Sequence, residues 1–586
     1  MVKSLKNTIT YIYKISPLYF FINILFTLLN GISSGFSIYG TKLLINTITN
    51  TNNGQSTFVK TLIIYSIINI SILLISTVLG IINSKHQLVI DNKMSLDVLN
   101  KCVDLDMKDF ENSDIYDMLG KAQMEGQMKV YLTYKNIMDM LMQIASLLSV
   151  VSVLLTMNSK VFILVIITPI ISMFLNYKVG KKNYMMRMKR IKDIRETSYI
   201  SYLLSNDVGY KEIKMFNLGS YLLDIYSKIK SKLLSQDFEI IKEKSIYDIT
   251  LGIIEEAISI FVILYIANMT MRGEILIGSM VAYIDSIGTV QSNLGVFLNR
   301  MPEIYNNLLY VNQYFEFLNY NQKDYEKDCQ KKKIAINEIS KIQVKNLSFT
   351  YSGTNNVVLK NINITISKGE LVGVIGENGS GKSTFLKLIC GLYDNYQGEI
   401  LINDVELKKI DTESLRNRIS VVFQDFNKYE FTMRENIAFG NLTQLKNDEQ
   451  IYSVLQNVGL KPKIESYIDG IDTQMGLWFD GEQLSIGQWQ KVAIGRALIR
   501  DYDLIVLDEP TSALDTKSEK NIFQILQTHC LNTIGIYITH RIKNIEDTKS
   551  RVIVFKNGEI VGDGINDDLM CNCEEYRLLL SKDHEC

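Results

Sequence analysis

The residues best suited to chemistry form a glycine-rich stretch, 376–383, which reads Gly-Glu-Asn-Gly-Ser-Gly-Lys-Ser and matches the pattern G-x-x-x-x-G-K-[ST]. An apolar run at 371–375 precedes it and predicts a buried strand. Glycines allow backbone N–H groups to close around phosphate oxygens, and a helix beginning near Gly381 would direct its N-terminal amides at the same anion. An unrelated glycine-rich turn is the alternative, but the flanking apolar residues favour a phosphate-binding loop. The residues predicted to bind nucleotide here are Gly376, Asn378, Gly379, Ser380, Gly381, Lys382, Ser383 and Thr384.

Two adjacent carboxylates, Asp508 and Glu509, follow a second apolar run at 504–507. Taken alone, two acids after a strand are as often a helix cap or a solvated turn. Beside a phosphate-binding loop they are the residue types that ATP hydrolysis needs, because Asp508 would hold Mg²⁺ and Glu509 would polarise the attacking water. Lys382 would contact the β- and γ-phosphates, and Ser383 would be a second ligand of Mg²⁺. The predicted cofactors are therefore ATP and Mg²⁺.

A third motif, Leu484-Ser485-Ile486-Gly487-Gln488, resembles the LSGGQ element of ABC transporters, which is specific to that family. The resemblance implies that Ser485, Gly487 and Gln488 contact the ATP bound by a second subunit. Ile486 departs from the glycine that the family has at the third position. Because a β-branched residue disfavours positive φ, the backbone is expected to follow an ordinary path there.

Four further positions take their expected roles from the same resemblance. Tyr351 is similar to the aromatic residue that stacks on adenine, and Gln424 is similar to the glutamine that reaches Mg²⁺ and the attacking water. Asp515 resembles the acidic residue of the loop between subunits, and His540 resembles the histidine that contacts the γ-phosphate. The predicted catalytic residues are thus Glu509, His540 and Gln424, and the predicted metal ligands are Ser383, Gln424 and Asp508.

More than half of the 586-residue chain lies before these motifs, and this part carries the apolar segments. Six stretches without charge or nearly so have the length that spans a bilayer and predict six transmembrane helices. So many long runs do not fit the buried helices of a soluble protein. The stretches lie at about 18–41, 61–82, 137–157, 161–177, 250–270 and 275–297.

The distribution of Lys and Arg predicts the orientation. Residues 178–246 hold fifteen of them, whereas the predicted outer connections hold mainly Lys60, Lys160 and Arg272. This asymmetry predicts a multi-pass protein of a bacterial cytoplasmic membrane, with both termini and the ATPase domain in the cytoplasm. All seven cysteines then lie on the cytoplasmic side, and no disulfide is expected.

The predicted fold is that of a multi-domain membrane protein. An all-α transmembrane domain of six helices (1–318) has long cytoplasmic helical extensions and is followed by a polar linker (319–340) and an α/β P-loop NTPase domain of the ABC type (341–586).

The cytoplasmic segments 83–136 and 178–249 are too polar to span a membrane and too long for turns. This arrangement resembles the exporter-type, or type IV, ABC transporters. In that family, short helices at the tips of such extensions dock on the ATPase, and the matching positions here are near 112–117 and 204–210. Ordinary solvated helix ends are the alternative.

The expected partners follow from the shared site. One ATPase domain per chain and a site built across two copies require a dimer. Because Glu509 and His540 are both present, a homodimer with two competent sites is expected, although a heteromeric partner stays open. Membrane lipid is a further partner. A net charge of −1 gives no support for nucleic-acid binding.

Three acids within the predicted spans, Glu255, Glu256 and Asp285, are candidates for a substrate cavity. Carboxylates are costly in lipid and by default face a hydrated cavity or a partner. Without an evident basic residue at matching depth, they suggest cationic cargo. The alternative is that they only hydrate the cavity or pair with Lys and Arg at its rim.

Local stretches at 110–117, 210–214 and 484–490 resemble bacterial lantibiotic and peptide exporters. The resemblance implies ATP-driven export of a peptide by alternating access. A drug or lipid exporter on the same fold, an importer, and a membrane sensor whose ATP cycle controls a partner are the alternatives. Only about 17 residues precede the first apolar run, so no N-terminal peptidase domain is expected, and another protein would remove any leader peptide.

Overall fold

The structure of the protein, a computed structural model, describes residues 2–49, 55–154, 178, 182, 185–186, 189–206, 209–320, 333–352, 354–510, 514–539 and 550–585. The chain forms two compact units. The first consists of Met1–Asp104 and Asp114–Tyr320, and the second of Leu105–Ser113 and Asn321–Cys586. A short segment that joins two helices of the first unit therefore belongs to the second.

The first unit is built from helices. In chain order the described helices from the N-terminus to residue 318 are α1 (Val2–Ile15), α2 (Pro17–Thr49), α3 (Gln55–Val103), α4 (Met107–Phe110, in the second unit), α5 (Ser113–Lys121), α6 (Gln127–Leu154), α7 (Ile191–Ser205), α8 (Tyr210–Met215), α9 (Gly219–Met271) and α10 (Ile277–Leu318). A π-helical turn, Ala122–Gly126, joins α5 to α6.

Four of the described helices, α2, α3, α6 and α9, are long and apolar enough to cross a membrane by length and composition. They contain the first, second, third and fifth predicted spans, apart from residues 155–157. The predicted span at 161–177 lies outside the described residues. Apart from residues 275–276, the predicted span at 275–297 falls on α10, which is helical over 42 residues but is not among these four. Polar residues such as Asp285 and Gln291 interrupt its apolar sequence.

The two longest helices extend far beyond the thickness of a bilayer. Helix α3 has 49 residues and α9 has 53. At 1.5 Å per residue they are about 74 and 80 Å long, whereas the hydrocarbon core of a bilayer is about 30 Å thick. The prediction of long helical extensions is therefore confirmed for these two helices.

Glycines allow helices α2 and α6 of the first unit to pack closely. A Cβ atom added to Gly31 of α2 would lie 2.5 Å from the carbonyl oxygen of Met142 in α6, and one added to Gly35 would lie 2.9 Å from Ser149. Only glycine permits the two backbones to approach this closely, as in other packed membrane helices. Helix α2 also contacts α10, because Asn46 Oδ1 accepts a hydrogen bond of 2.9 Å from the Gly278 N–H.

The second unit contains two sheets. The strands are β1 (Lys341–Thr350), β2 (Val357–Ser367), β3 (Leu371–Gly376), β4 (Gln397–Ile402), β5 (Val405–Glu406), β6 (Ile419–Val422), β7 (Leu504–Asp508), β8 (Ile534–Ile538), β9 (Arg551–Lys556) and β10 (Glu559–Gly564). The smaller sheet is antiparallel, with the order β2-β1-β4-β5. The larger has the order β10-β9-β3-β8-β7-β6, and its strands are parallel except for β10.

Buried apolar runs form the centre of the larger sheet. Every residue of β7 and β8 is buried, as is all of β3 except its first residue. Such continuous apolar strands are typical of parallel sheets that are covered on both faces. The strands predicted around 371–375 and 504–507 are therefore confirmed. Because the strands are parallel, their carboxyl ends meet at one edge, where α/β proteins bind ligands.

The helices of the second unit after β3 are α11 (Lys382–Ile389), α12 (Thr412–Arg416), α13 (Met433–Ala438), α14 (Asp448–Asn457), α15 (Lys461–Glu465), α16 (Ile486–Leu498), α17 (Thr516–Cys530), α18 (Asn566–Asn572) and α19 (Glu574–Glu585). Short 3₁₀ turns lie at Leu407–Lys409, Leu442–Gln444, Gly470–Asp472 and Leu477–Phe479. The fold class predicted from the sequence agrees with this architecture, because long apolar helices precede an α/β unit.

Candidate functional site

The glycine-rich loop joins β3 to α11, as its sequence predicts. Gly379 and Gly381 have φ values of +81° and +105°, which residues with a side chain rarely adopt. Around Gly379 the space is open, whereas a Cβ on Gly381 would lie 2.7 Å from Leu359. Gly376 ends β3, and Asn378 is exposed in the loop. The loop thus presents bare backbone beside the N-terminus of α11, which is the geometry that binds phosphate.

Lys382 occupies the first position of α11 and is buried. Its Nζ donates to the carbonyl oxygens of Gly376 and Glu377 at 2.7 and 2.9 Å, so the ammonium group closes the loop. Burial lowers the pKa of Lys382 below its ordinary value. The hydroxyl of Ser380 is also buried and has no hydrogen-bond partner among the described residues. These two groups fit a phosphate, which would accept hydrogen bonds from both.

Asp508 ends β7 and is 5% exposed. Burial raises the pKa of its carboxyl group, and a hydrogen bond from the Ser383 hydroxyl acts in the opposite direction. Its Oδ1 atom has no hydrogen-bond partner in the described part of the chain. A buried carboxylate oxygen without a donor, next to a serine hydroxyl, fits Mg²⁺, which prefers oxygen ligands.

Glu509 is held on three sides. Its side-chain Oε2 accepts from Gln424 Nε2 at 3.0 Å, and its N–H donates to the Ile538 carbonyl oxygen at 3.2 Å. Its own carbonyl oxygen accepts from Gln490 Nε2 of α16 at 3.1 Å. The φ of Glu509 is +50°, a left-handed conformation that is strained for a residue with a side chain. The surrounding hydrogen bonds keep this carboxylate in one place.

The ring of Tyr351 lies next to the phosphate loop. Its hydroxyl is 2.9 Å from Oγ1 of Thr384, in the first turn of α11. The ring packs edge to face against Phe349 and Tyr393, with centroid distances of 5.0 and 5.7 Å. Five parts of the predicted site therefore meet in this unit: the loop, Tyr351, Gln424, Asp508 and Glu509.

The third motif forms the beginning of α16. Ser485 is the N-cap, its Oγ accepts from the Gln488 N–H at 3.3 Å, and Gln488 Oε1 accepts from the Ser485 N–H at 3.0 Å. Lys463 also donates to Gln488 Oε1 at 3.0 Å. Ile486 begins the helix without positive φ, so the expected ordinary backbone path is confirmed. Ser485 is exposed and Gly487 lies half-buried in the first turn.

Asp515 is the exposed N-cap of α17, where its Oδ2 accepts from the Ser518 N–H at 3.2 Å. The hydrogen bonds from Ser518 lower the pKa of Asp515. His540, which the sequence places in the same site, lies outside the described residues, as do residues 511–513.

The comparisons with known proteins agree with this geometry. A model of the ABC transporter domain matches residues 359–512. The subtilin transport ATP-binding protein SpaT of Bacillus subtilis is 36% identical over 579 residues, which are 98% of this chain and 94% of that protein. The chain belongs to the ABC transporter family. The nisin transport ATP-binding protein NisT of Lactococcus lactis is 34% identical over 526 residues, 89% of this transporter and 87% of that protein.

Two further similarities are broader. An ATP-dependent lipid A-core flippase of Pseudomonas fluorescens is 30% identical over 432 residues, 73% of this transporter and 69% of that protein. The solved structure of a bacterial Atm1-family ABC exporter with ATP bound has the same fold, with a TM-score of 0.78 at 18% identity over 96% of this chain and 97% of the other. The protein is thus a multi-pass membrane protein of the ABC transporter family, with an exporter-type fold and an ATPase coupled to transport.

The acids predicted to line a substrate cavity lie on two helices of this transporter. Glu255 is half-buried and Glu256 exposed on α9, and Asp285 is exposed on α10. None of the three takes part in an ion pair among the described residues.

Sequence reasoning missed the roles of two buried residues. Gln490 lies in the stretch 484–490 that resembles peptide exporters, but nothing in the sequence indicates that its side chain reaches Glu509. Tyr393, which packs on Tyr351, also donates a hydrogen bond to Glu111. The neighbouring Asp394 pairs with Lys108 of α4 at 3.1 Å. These contacts lie just before the predicted docking position at 112–117, because the chain turns after α3 ends at Val103.

Proposed function

We propose that this ABC transporter is a homodimer that uses ATP to export a peptide across the cytoplasmic membrane of a bacterium. The observation that carries the peptide assignment is the similarity to the subtilin and nisin transport proteins, which spans 98% and 89% of the chain. Cargo is recognised in the membrane region, so similarity that includes this region bears on cargo. The flippase similarity covers 73% of the chain and supports lipid as the second candidate.

The residues around the phosphate loop support hydrolysis in the following roles. The ammonium group of Lys382 would donate hydrogen bonds to phosphate oxygens in place of the two loop carbonyl oxygens. The N-terminal amides of α11 would bind the same phosphate group. Ser383, Asp508 and Gln424 would hold Mg²⁺, which when bound neutralises charge on the phosphates. Glu509 would accept the hydrogen bond of the attacking water, and Gln424 orients the Glu509 carboxylate.

The other half of each site would come from a second copy. Ser485 is exposed at the N-terminus of a 13-residue helix, so its hydroxyl and the following amides are available to a phosphate. Asp515 is likewise exposed. A dimer with both nucleotide sites at its interface closes when ATP binds and opens after hydrolysis, and this change would move the membrane helices between inward- and outward-facing states.

ATP hydrolysis by the purified transporter in lipid discs tests this proposal. Cationic peptides should raise the hydrolysis rate, neutral amphiphiles should not, and Glu509→Gln should abolish both basal and stimulated rates. Stimulation by amphiphiles alone would favour the lipid or drug alternative. A stable complex with another protein, without accumulation of peptide in sealed vesicles, would favour a sensor.

The acidic residues give a second test of the cargo. If Glu255 and Asp285 accept cationic cargo, Glu255→Gln and Asp285→Asn should lower the transport of a cationic peptide while basal ATP hydrolysis stays unchanged. Val59→Thr, at an exposed position on α3, is a control for surface changes in the membrane region. Unchanged peptide transport in both acidic-residue variants would show that these carboxylates do not select cargo.

A further inference from the structure

Tyr393 lies between the ATP site and the segment Leu105–Ser113. It follows α11 in the chain and is 3% exposed. Its hydroxyl donates a hydrogen bond to Oε1 of Glu111. The next residue, Asp394, accepts from Lys108 Nζ at 3.1 and 3.3 Å. Two adjacent residues therefore hold one short segment of the same, second unit. Along the chain, this segment joins helices α3 and α5.

The ring of Tyr393 also belongs to an aromatic cluster with Phe349 and Tyr351. Its ring lies 5.3 Å from that of Phe349 and 5.7 Å from that of Tyr351, at 85° to the latter. Edge-to-face packing favours one mutual orientation of two rings, so a shift of Tyr393 displaces or tilts Tyr351. Tyr351 in turn contacts Thr384 of α11. A continuous set of contacts thus runs from Glu111 to the first turn of the phosphate-binding helix.

Burial, and then the hydrogen bond to Glu111, raise the pKa of Tyr393. The phenol therefore stays protonated and remains a donor to the carboxylate at any pH at which the protein functions. A neutral donor facing a carboxylate makes a stronger hydrogen bond than two neutral groups do.

We propose that Tyr393 is a positioning residue that links the adenine-stacking ring of Tyr351 to the segment Leu105–Ser113. Binding of the adenine base orders Tyr351, which orders Tyr393 and through Glu111 the segment between α3 and α5. The link is reciprocal, because any coupling free energy acts equally in both directions. The inference rests on the proposed ATP site and does not depend on the cargo.

The first measurement is the dissociation constant of ATP for the full-length transporter in lipid discs, with EDTA present so that no ATP is hydrolysed. Tyr393→Phe keeps the ring and removes the hydroxyl, and Glu111→Ala removes the acceptor at an exposed position. Each should weaken ATP binding about threefold to tenfold, and the double variant should be no weaker than the single ones. Inorganic tripolyphosphate, which has no base, should bind all variants equally.

Tyr396→Phe is the matched control. Tyr396 is as buried as Tyr393 and lies three residues further along, but its hydroxyl has no hydrogen-bond partner in the described part of the chain. This variant should bind ATP as the unmodified transporter does. Equal weakening of ATP and tripolyphosphate binding would indicate general damage to the site and would overturn the inference. Additive effects of Glu111→Ala and Tyr393→Phe would overturn it as well.

Hydrogen exchange of the backbone amides of 105–113 tests the link itself. ATP should change their exchange rates in the unmodified transporter, tripolyphosphate should not, and Tyr393→Phe should remove more than about half of the ATP effect. If ATP changes the exchange rates in Tyr393→Phe as much as in the unmodified transporter, the inference is overturned while the proposed ATP site stands. If the unmodified transporter does not bind ATP, both the inference and the proposed ATP site fail, whereas a failure to export peptide leaves the inference standing.

Discussion

From the hydrogen bond that Gln490 donates to the backbone of Glu509, we predict how far the rate of ATP hydrolysis falls when this donor is removed. Glu509 has a φ of +50°, and a left-handed residue with a side chain costs about 1–3 kcal/mol. Pro510 follows Glu509 and further restricts the backbone dihedral angles that Glu509 can adopt. The neighbouring hydrogen bonds must offset this cost, and the one from Gln490 Nε2, at 3.1 Å, holds the carbonyl oxygen of Glu509.

Gln490→Met removes this donor and keeps the length of the side chain. Loss of a hydrogen bond worth about 1–2 kcal/mol lets Glu509 leave its left-handed conformation more often. Since about 1.4 kcal/mol corresponds to a factor of ten, kcat for ATP should fall about five- to thirtyfold. KM for ATP should change less than about twofold, because Gln490 holds the residue proposed to act on water, and a group needed only in the reaction step affects kcat rather than binding.

The assay is the ATP dependence of phosphate release by the transporter in lipid discs. Ser420→Ala is the matched control, because Ser420 Oγ is also buried and donates to a carbonyl oxygen of α16, that of Ala497, at 2.8 Å. That variant should lower the unfolding temperature without lowering kcat. A correctly folded Gln490→Met transporter with unchanged kcat, or with KM raised as much as kcat is lowered, would refute the reasoning.

The remaining predictions concern the carboxylates and the helix packing. Glu509→Gln should lower ATP hydrolysis at least about 100-fold while ATP still binds, measured by phosphate release and equilibrium binding. Chelation of Mg²⁺ by EDTA should stop hydrolysis, and added Mg²⁺ should restore it, because Asp508 supplies a buried oxygen that lacks a hydrogen-bond donor in the described structure. Gly31→Leu should destabilise the first unit by about 3 kcal/mol, because its Cβ would lie 2.5 Å from the Met142 carbonyl oxygen. Gly80→Leu should not, because no atom lies within 4 Å of a Cβ at that position. Thermal unfolding of the two variants distinguishes these outcomes.

Much of the ATP site was predictable from local sequence. The glycines of the loop have positive φ, as the pattern of the loop predicts, and the apolar runs before the loop and before Asp508 form buried parallel strands. The roles of all the site residues stay predictions, and those of Ser485, Gly487, Gln488 and Asp515 depend in addition on the proposed second copy. The contacts of Lys108 and Glu111 lie just before the predicted docking position at 112–117, which stays a prediction.

The sequence by itself determined the order of the parts: apolar helices first, then an α/β ATPase whose motifs follow one another along the chain. Apolar runs and glycine patterns act over a few residues, so they can be recognised without knowing what lies beside them in space. Only the tertiary structure decided which residues hold the reactive groups. Gln424 meets Glu509 across 85 residues, and Tyr393 meets Glu111 across 282. Such contacts depend on how strands and helices pack, which no local pattern records.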